Sequence, residues 1–384
     1  MKRILPLLLS FCMILALAAC GHGDEETSAE EVLTGTVRYM NADPALQESW
    51  QRIAEAYTAE RGVPVEIISS GAQNYMTDLN YALNSGSAPV LFDVHSAAEF
   101  RQVEPICKNI TGQKVLNQVI TNAFSLSKDY VWNATENFGA VGYSIDSYGL
   151  LVNRVLLEKA GYHFSDLKDL ASLSAAAADI QSRAGELGIT GAFSTVDSAT
   201  FCSNLYNACA FPTLESSGYA NPQFLEDVPG RMQGLIDVIT ANGAGLSSYN
   251  DLNSFVQGRT VFCPATVSDY SAEMEAGIGY ENVGFIPLYC GVGKEEDQGL
   301  CTNANRFWCV NENASEEDQK AALDFISWVA EEEISNDILA DEMGICTPFV
   351  NAKTPRNPLI AMMNESLATR KNPVVNYLDV GYTG

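Results

Sequence analysis

Tyr143 to Tyr162 reads Y-S-I-D-S-Y-G-L-L-V-N-R-V-L-L-E-K-A-G-Y. Leu150, Leu151 and Val152 form a short apolar run that suits a buried strand. Asn153 follows, and the apolar positions then move to helical spacing at Val155, Leu156, Leu157 and Ala160. Gly161 stands where a helix end favours a residue at positive φ. The stretch predicts a strand, an Asn cap, a short helix and a Gly stop.

Upstream, Gly35–Met40 alternates like a strand and Asn41-Ala42-Asp43-Pro44 breaks it. Helical spacing follows at Leu46, Trp50, Ile53, Ala54 and Tyr57, then a second strand over Val63–Ile68. Tyr75–Leu83 predicts a helix and Ala88–Val94 a third strand, so the opening alternates β-α-β-α-β. That order implies an α/β lobe with a mostly parallel sheet. In such sheets ligands sit beyond the carboxyl ends of strands, here Asn41–Asp43, Ser69–Gln73 and Asp93–Ser96. Phe138-Gly139 reads as loop. Leu167–Leu187, Phe201–Leu205 and Met232–Ile239 are expected as helices, with a strand at Gly188–Phe193 between the first two. Ser315–Glu332 is expected as a helix capped by Ser315, with an acidic first turn.

The chain has 384 residues, enough for two domains, with 47% hydrophobic and 18% charged residues. Its formal charge of −26 repels phosphate backbones and argues against nucleic-acid binding. Lys2 and Arg3, the apolar run Ile4–Leu17 and Ala18-Ala19-Cys20-Gly21 form a secretory leader, residues 1–19. Leu17-Ala18-Ala19-Cys20 matches the bacterial lipobox, which makes Cys20 the expected lipidation site. Residues 20–34 are acidic and poor in large apolar residues, a flexible tether.

Among the ten cysteines, eight lie beyond Cys20, and no C-x-x-C spacing occurs. An extracytoplasmic place permits up to four disulfides, with Cys301–Cys309 and Cys202–Cys209 as first candidates; buried thiols are the equal alternative. G-x-S-x-G, H-E-x-x-H, the P-loop and the Gly-rich dinucleotide turn are all missing, and three histidines leave little for His-dependent catalysis. No enzyme, metal or cofactor is expected.

The Y-G-x-x-x-N strand with its helix ending E-K-A-G resembles the first interdomain crossover of the extracellular solute-binding proteins of ABC importers. The sugar-binding, maltose-binding-protein-like branch is the nearest in pattern. Further likenesses follow in order: A-P-x-x-F-D at Ala88–Asp93, F-x-x-G at Phe255–Gly258, V-G-x-x-P-L at Val283–Leu288, a second crossover at Arg306–Asn311 and a third at Gly344–Phe349. The resemblance implies a two-lobe, periplasmic-binding-protein-like α/β fold of type II with the ligand between lobes. Lobe 1 would comprise 35–145 and 310–345, and lobe 2 146–309 and 346–384. It also implies a receptor that hands a carbohydrate to ABC permease subunits, held at the membrane by its lipid. A surface carbohydrate sensor or adhesin of the same fold is the alternative.

Sugar sites combine rings stacked on pyranose faces with planar polar groups that bond hydroxyls. Carried over position by position, the resemblance points to Asn41 and Asp43, Gln73 and Tyr75, and Asp93 and His95 at the three strand ends. It adds Tyr143, Asp146 and Tyr148 at the first crossover, Tyr270 in lobe 2, and Asn305, Arg306 and Trp308 before the second crossover. Trp50 and Tyr57, at helical spacing, read as core. Asp43 before Pro44 reads equally as a helix cap, and Tyr148 equally as hinge packing. Relatives carry N-G-x-W-A-W after the F-x-x-G step, whereas Ala265–Tyr270 places Ser268 where the first stacking tryptophan would stand. That departure weakens the case for a long oligosaccharide, and Arg306 raises an acidic sugar or another anion. Relatives also continue past the position of Tyr377 with further helices; this sequence ends at Gly384.

Overall fold

The computed structural model describes residues 33–71, 73–129, 135–210, 227–269, 271–291 and 295–369. The leader, Cys20, most of the tether and Tyr270 lie outside the described residues. Eleven strands are described: β1 Val37–Asn41, β2 Val65–Ser69, β3 Leu91–Val94, β4 Ser125–Ser127, β5 Phe138–Asn153, β6 Gly191–Phe193, β7 Val196–Asp197, β8 Leu246–Ser247, β9 Thr260–Thr266, β10 Val283–Ile286 and β11 Cys301–Val310. Nine of them form one sheet in the order β2-β1-β3-β11-β5-β9-β6, with β4 and β10 also pairing β5.

β5 organises the fold. All 16 of its residues are buried. Its first half is flanked by β4 at Ser125↔Val141 and by β11 at Trp308↔Val141. Its last third is flanked by β9 at Val152↔Phe262 and by β10 at Gly284↔Val152. One strand thus serves two sheet portions, and β11 runs antiparallel beside it from Trp308 to Cys301. Gly142 tolerates this crowding because a Cβ there would lie 2.3 Å from the Phe124 carbonyl oxygen. Phe138-Gly139, expected as loop, instead opens β5, because both of its edges are paired and its backbone groups find partners.

The expected strand-cap-helix unit is present. Asn153 Oδ1 accepts from the Leu156 amide at 3.1 Å, the helix runs Arg154–Lys159, and Gly161 has φ +92°. The opening β-α-β-α-β order also holds: β1 pairs β2 and β3 in parallel, with helices Gln47–Arg61 and Tyr75–Leu83 between them. The first helix buries Trp50, Ile53, Ala54 and Tyr57, so the two aromatics read as core are core. Helix Glu316–Glu331 starts where Ser315 Oγ accepts from the Asp318 amide at 3.1 Å, with three acidic residues in its first turn.

Two large apolar cores lie along the two sheet portions. One draws on Val37 through Phe349, the other on Tyr148 through Cys301. A third cluster, from Met40 to Met363, contains residues of both portions.

The eight described cysteines are free thiols. The two expected pairs fail on geometry. Cys301 and Cys309 sit on one strand, about 26 Å apart at ~3.3 Å per residue. Cys202 and Cys209 sit two turns apart on helix Ser198–Ala210, about 10 Å in rise, beyond the span of a disulfide. Among the described residues, no helix is long and apolar enough to cross a membrane.

Candidate functional site

Residues 304–307 of β11 and 142–145 of β5 do not pair evenly. Ala304 pairs Ile145 and Arg306 pairs Ser144, which leaves Asn305 as an extra residue; Phe307 then pairs Gly142, which leaves Tyr143 extra on the other strand. Bulges of this kind bend a strand and re-aim its side chains. Here they deliver Ser144, Ile145, Asn305 and Arg306 to a pocket of about 370 Å³. Val267 and Ser268 close it from the turn after β9, Met343–Cys346 from the third crossover, and Asn357 and Ile360 from the following segment. The third crossover is tied in by the Ile145 amide, which donates to the Cys346 carbonyl at 2.8 Å. All three crossovers meet at this pocket.

The pocket wall is polar. Arg306 Nη2 donates to Asp43 Oδ2 at 3.1 Å, whereas Nη1 is buried and meets no acceptor. Asn305 Oδ1 is likewise buried without a donor. Asp146 lies just behind: its Oδ1 accepts from the Ser147 and Val267 amides at 2.8 and 3.0 Å, and its Oδ2 from Ser268 Oγ at 2.6 Å. Burial raises the Asp146 pKa, against the pull of those donors. Its expected ligand role gives way to a structural one, because it fixes the turn that presents Ser268.

Behind Arg306 the aromatic residues form a closed cluster. Trp308 is 1% exposed and stacks on Tyr143 with ring centres 4.3 Å apart and planes 12° apart. Trp50 and Phe349 close on it at 6.2 and 6.0 Å, and Trp308 Nε1 donates to Tyr39 Oη at 3.2 Å. Tyr39 and Tyr143 hydroxyls donate to the two oxygens of Asp93 at 2.8 and 3.1 Å, and the Ala42 amide adds a third bond at 3.2 Å. Tyr75 donates to the Met40 carbonyl at 2.9 Å and accepts from the Asp93 amide at 2.9 Å. Trp308, Tyr143, Tyr75 and Asp93, expected to contact ligand, are therefore interior, because neighbouring protein groups occupy their rings and polar atoms. Tyr148 is 6% exposed and packs in the second core, the hinge-packing alternative.

The remaining expected residues scatter. Asn41 is fully buried, accepting from the Asp43 amide and donating to Ser69 Oγ. Asp43 caps Ala45 through Oδ1 and holds Arg306 through Oδ2, so its cap reading is realised alongside a place beside the pocket. Gln73 is exposed. His95 Nδ1 lies 3.1 Å from Glu99 Oε2, with its ring 5.7 Å from Tyr75. Of the expected set, Asn305 and Arg306 line the pocket directly. Ser144, Ser268 and Asn357 also line the pocket and are not among the expected contacts; Ser144 lies inside the Tyr143–Tyr162 stretch, and Ser268 marks the departure from the family pattern.

A two-lobe α/β fold with a small polar pocket where its crossovers meet defines a ligand receptor. The chain belongs to the bacterial extracellular solute-binding protein family, whose profile matches residues 52–361; members of this family are receptors and not enzymes. Solved structures agree on the fold. A family 1 extracellular solute-binding protein from Bifidobacterium longum subsp. infantis is 16% identical, with a TM-score of 0.67 and 89% of each chain covered. Apo RafE from Streptococcus pneumoniae is 14% identical, TM-score 0.67, covering 90% of this chain and 89% of that one. The GacH receptor of Streptomyces glaucescens, solved unliganded and with acarbose, is 18% identical, TM-score 0.59, covering 90% and 88%. No curated protein matches the chain.

Proposed function

We propose that this protein is a lipid-anchored receptor that binds a carbohydrate between two lobes and delivers it to an ABC permease. The lobes are 35–145 with 310–345, and 146–309 with 346–384. The pocket at the three crossovers carries this reading. Closing about those strands would bury a ligand seated against Arg306 and bring both lobes to one permease-facing surface. The family match supports the transport role, and similar folds solved with raffinose and acarbose support a sugar as cargo.

A thermal-shift screen of the chain against mono- and oligosaccharides tests the receptor reading. A ligand at a hundredfold over its Kd adds about 2.7 kcal/mol, a rise of about 5 °C at roughly 2 °C per kcal/mol. A cooperative melt that no sugar moves would remove carbohydrate as the cargo. The anchor is tested separately. Cells fed a clickable palmitate should label the wild-type chain, and the Cys20→Ala chain should stay unlabelled. Equal labelling of both would place the lipid elsewhere.

A further inference from the structure

We propose that the ligand is a sugar acid, recognised through its carboxylate by Arg306. This deepens the receptor reading above and rests on it. Among the described residues, the pocket's lining contains neither a carboxylate nor an aromatic ring, and Arg306 is the one charged residue there. Neutral sugars are held by acidic acceptors for their hydroxyls and by rings against their C–H faces. This wall offers neither, in a chain whose formal charge is −26.

What it does offer is specific. The guanidinium engages Asp43 through Nη2 alone, and its buried Nη1 has no acceptor. Asp43 is itself divided, since Oδ1 accepts from the Ala45 amide. A guanidinium is always protonated and its fork matches a carboxylate, and charge-assisted bonds of this kind are among the strongest. Asn305 lines the same pocket, and its orphaned Oδ1 is a neutral acceptor for a hydroxyl. A cationic donor and a hydroxyl acceptor in one pocket suit a carboxylate and a hydroxyl on one small ring. Asp93 acts on Arg306 through its field, without a hydrogen bond to Nη1. Asp93 is held by Tyr39, Tyr143 and Ala42, and Asp146 by Ser147, Val267 and Ser268. A volume of about 370 Å³ lies at the small end of ligand pockets, suiting one or two rings.

Calorimetric titration of the full chain with D-glucuronate, D-galacturonate, D-glucose, D-galactose and citrate decides it. A uronate is expected to bind at least tenfold more tightly than its neutral counterpart and than citrate. Arg306→Gln should lose that preference, and Asp43→Asn, which frees the guanidinium, should keep or strengthen it. A neutral sugar binding as tightly as its uronate would overturn the sugar-acid proposal and leave the receptor reading standing. So would uronate preference that survives in Arg306→Gln or collapses in Asp43→Asn while the chain stays folded. Tighter binding of citrate than of either uronate would replace the sugar with a simple carboxylate. Failure of every sugar, acidic or neutral, would overturn both readings together.

Discussion

Trp308→Ala is expected to cost the fold about 3–5 kcal/mol, the range for truncating a buried aromatic. The indole is 1% exposed and meets Tyr143 face to face, with Trp50 and Phe349 around it. Truncation opens a cavity at the seam of β5 and β11 and strands the Tyr39 hydroxyl without its Nε1 donor. Trp308→Phe should lose less, since it keeps a ring against Tyr143 and gives up mainly the Nε1 bond. Chemical denaturation of the three chains measures this. Undiminished stability with lost ligand binding would move Trp308 into the pocket, where its position in sequence had suggested it belonged.

That misplacement has a physical cause. A strand buried on both faces shows no alternation of apolar and polar residues, so its sequence does not say which way a ring points. β5 is such a strand throughout, and β11 is nearly so. Tyr143 and Trp308 were legible as crossover residues, but whether they face core or cleft depends on two bulges. Those bulges arise from how β11 registers against β5, which neither segment encodes alone. Local signals fared better. Asn153 as cap, Gly161 as stop and Ser315 as cap each act within four residues of themselves, and all three hold. Asn305 and Arg306 were reached through the family resemblance, which places them at the second crossover, and both line the pocket. The wall built by Met343–Cys346 and Asn357 was not legible, because it returns from some 200 residues beyond Ser144.

Asp93→Ala should be nearly as damaging as loss of the tryptophan. The carboxylate is fully buried and takes hydrogen bonds from Tyr39, Tyr143 and the Ala42 amide. Removing it takes a buried acceptor from three donors, of which the Tyr39 hydroxyl keeps the Tyr143 hydroxyl at 3.4 Å, so at about 1 kcal/mol or more each the loss is about 2–3 kcal/mol. Asp93→Asn keeps the shape and adds a pH signature. Burial raises the Asp93 pKa above its ordinary value, and His95, Tyr39, Arg306 and the Ala42 amide pull it only part of the way back. Between the ordinary carboxylate value of about 3.9 and that raised value, the folded chain keeps a proton that the unfolded chain has released. Stability contributed by this group therefore falls as pH rises through the window, and is greatest at its acidic end. Asn does not titrate. The wild-type advantage over Asp93→Asn should accordingly shrink with rising pH and level off once Asp93 is ionised, as read by denaturant unfolding of both chains between about pH 4 and about pH 7. A constant difference across that range would mean that the three donors and the nearby Arg306 fully offset the burial of the charge.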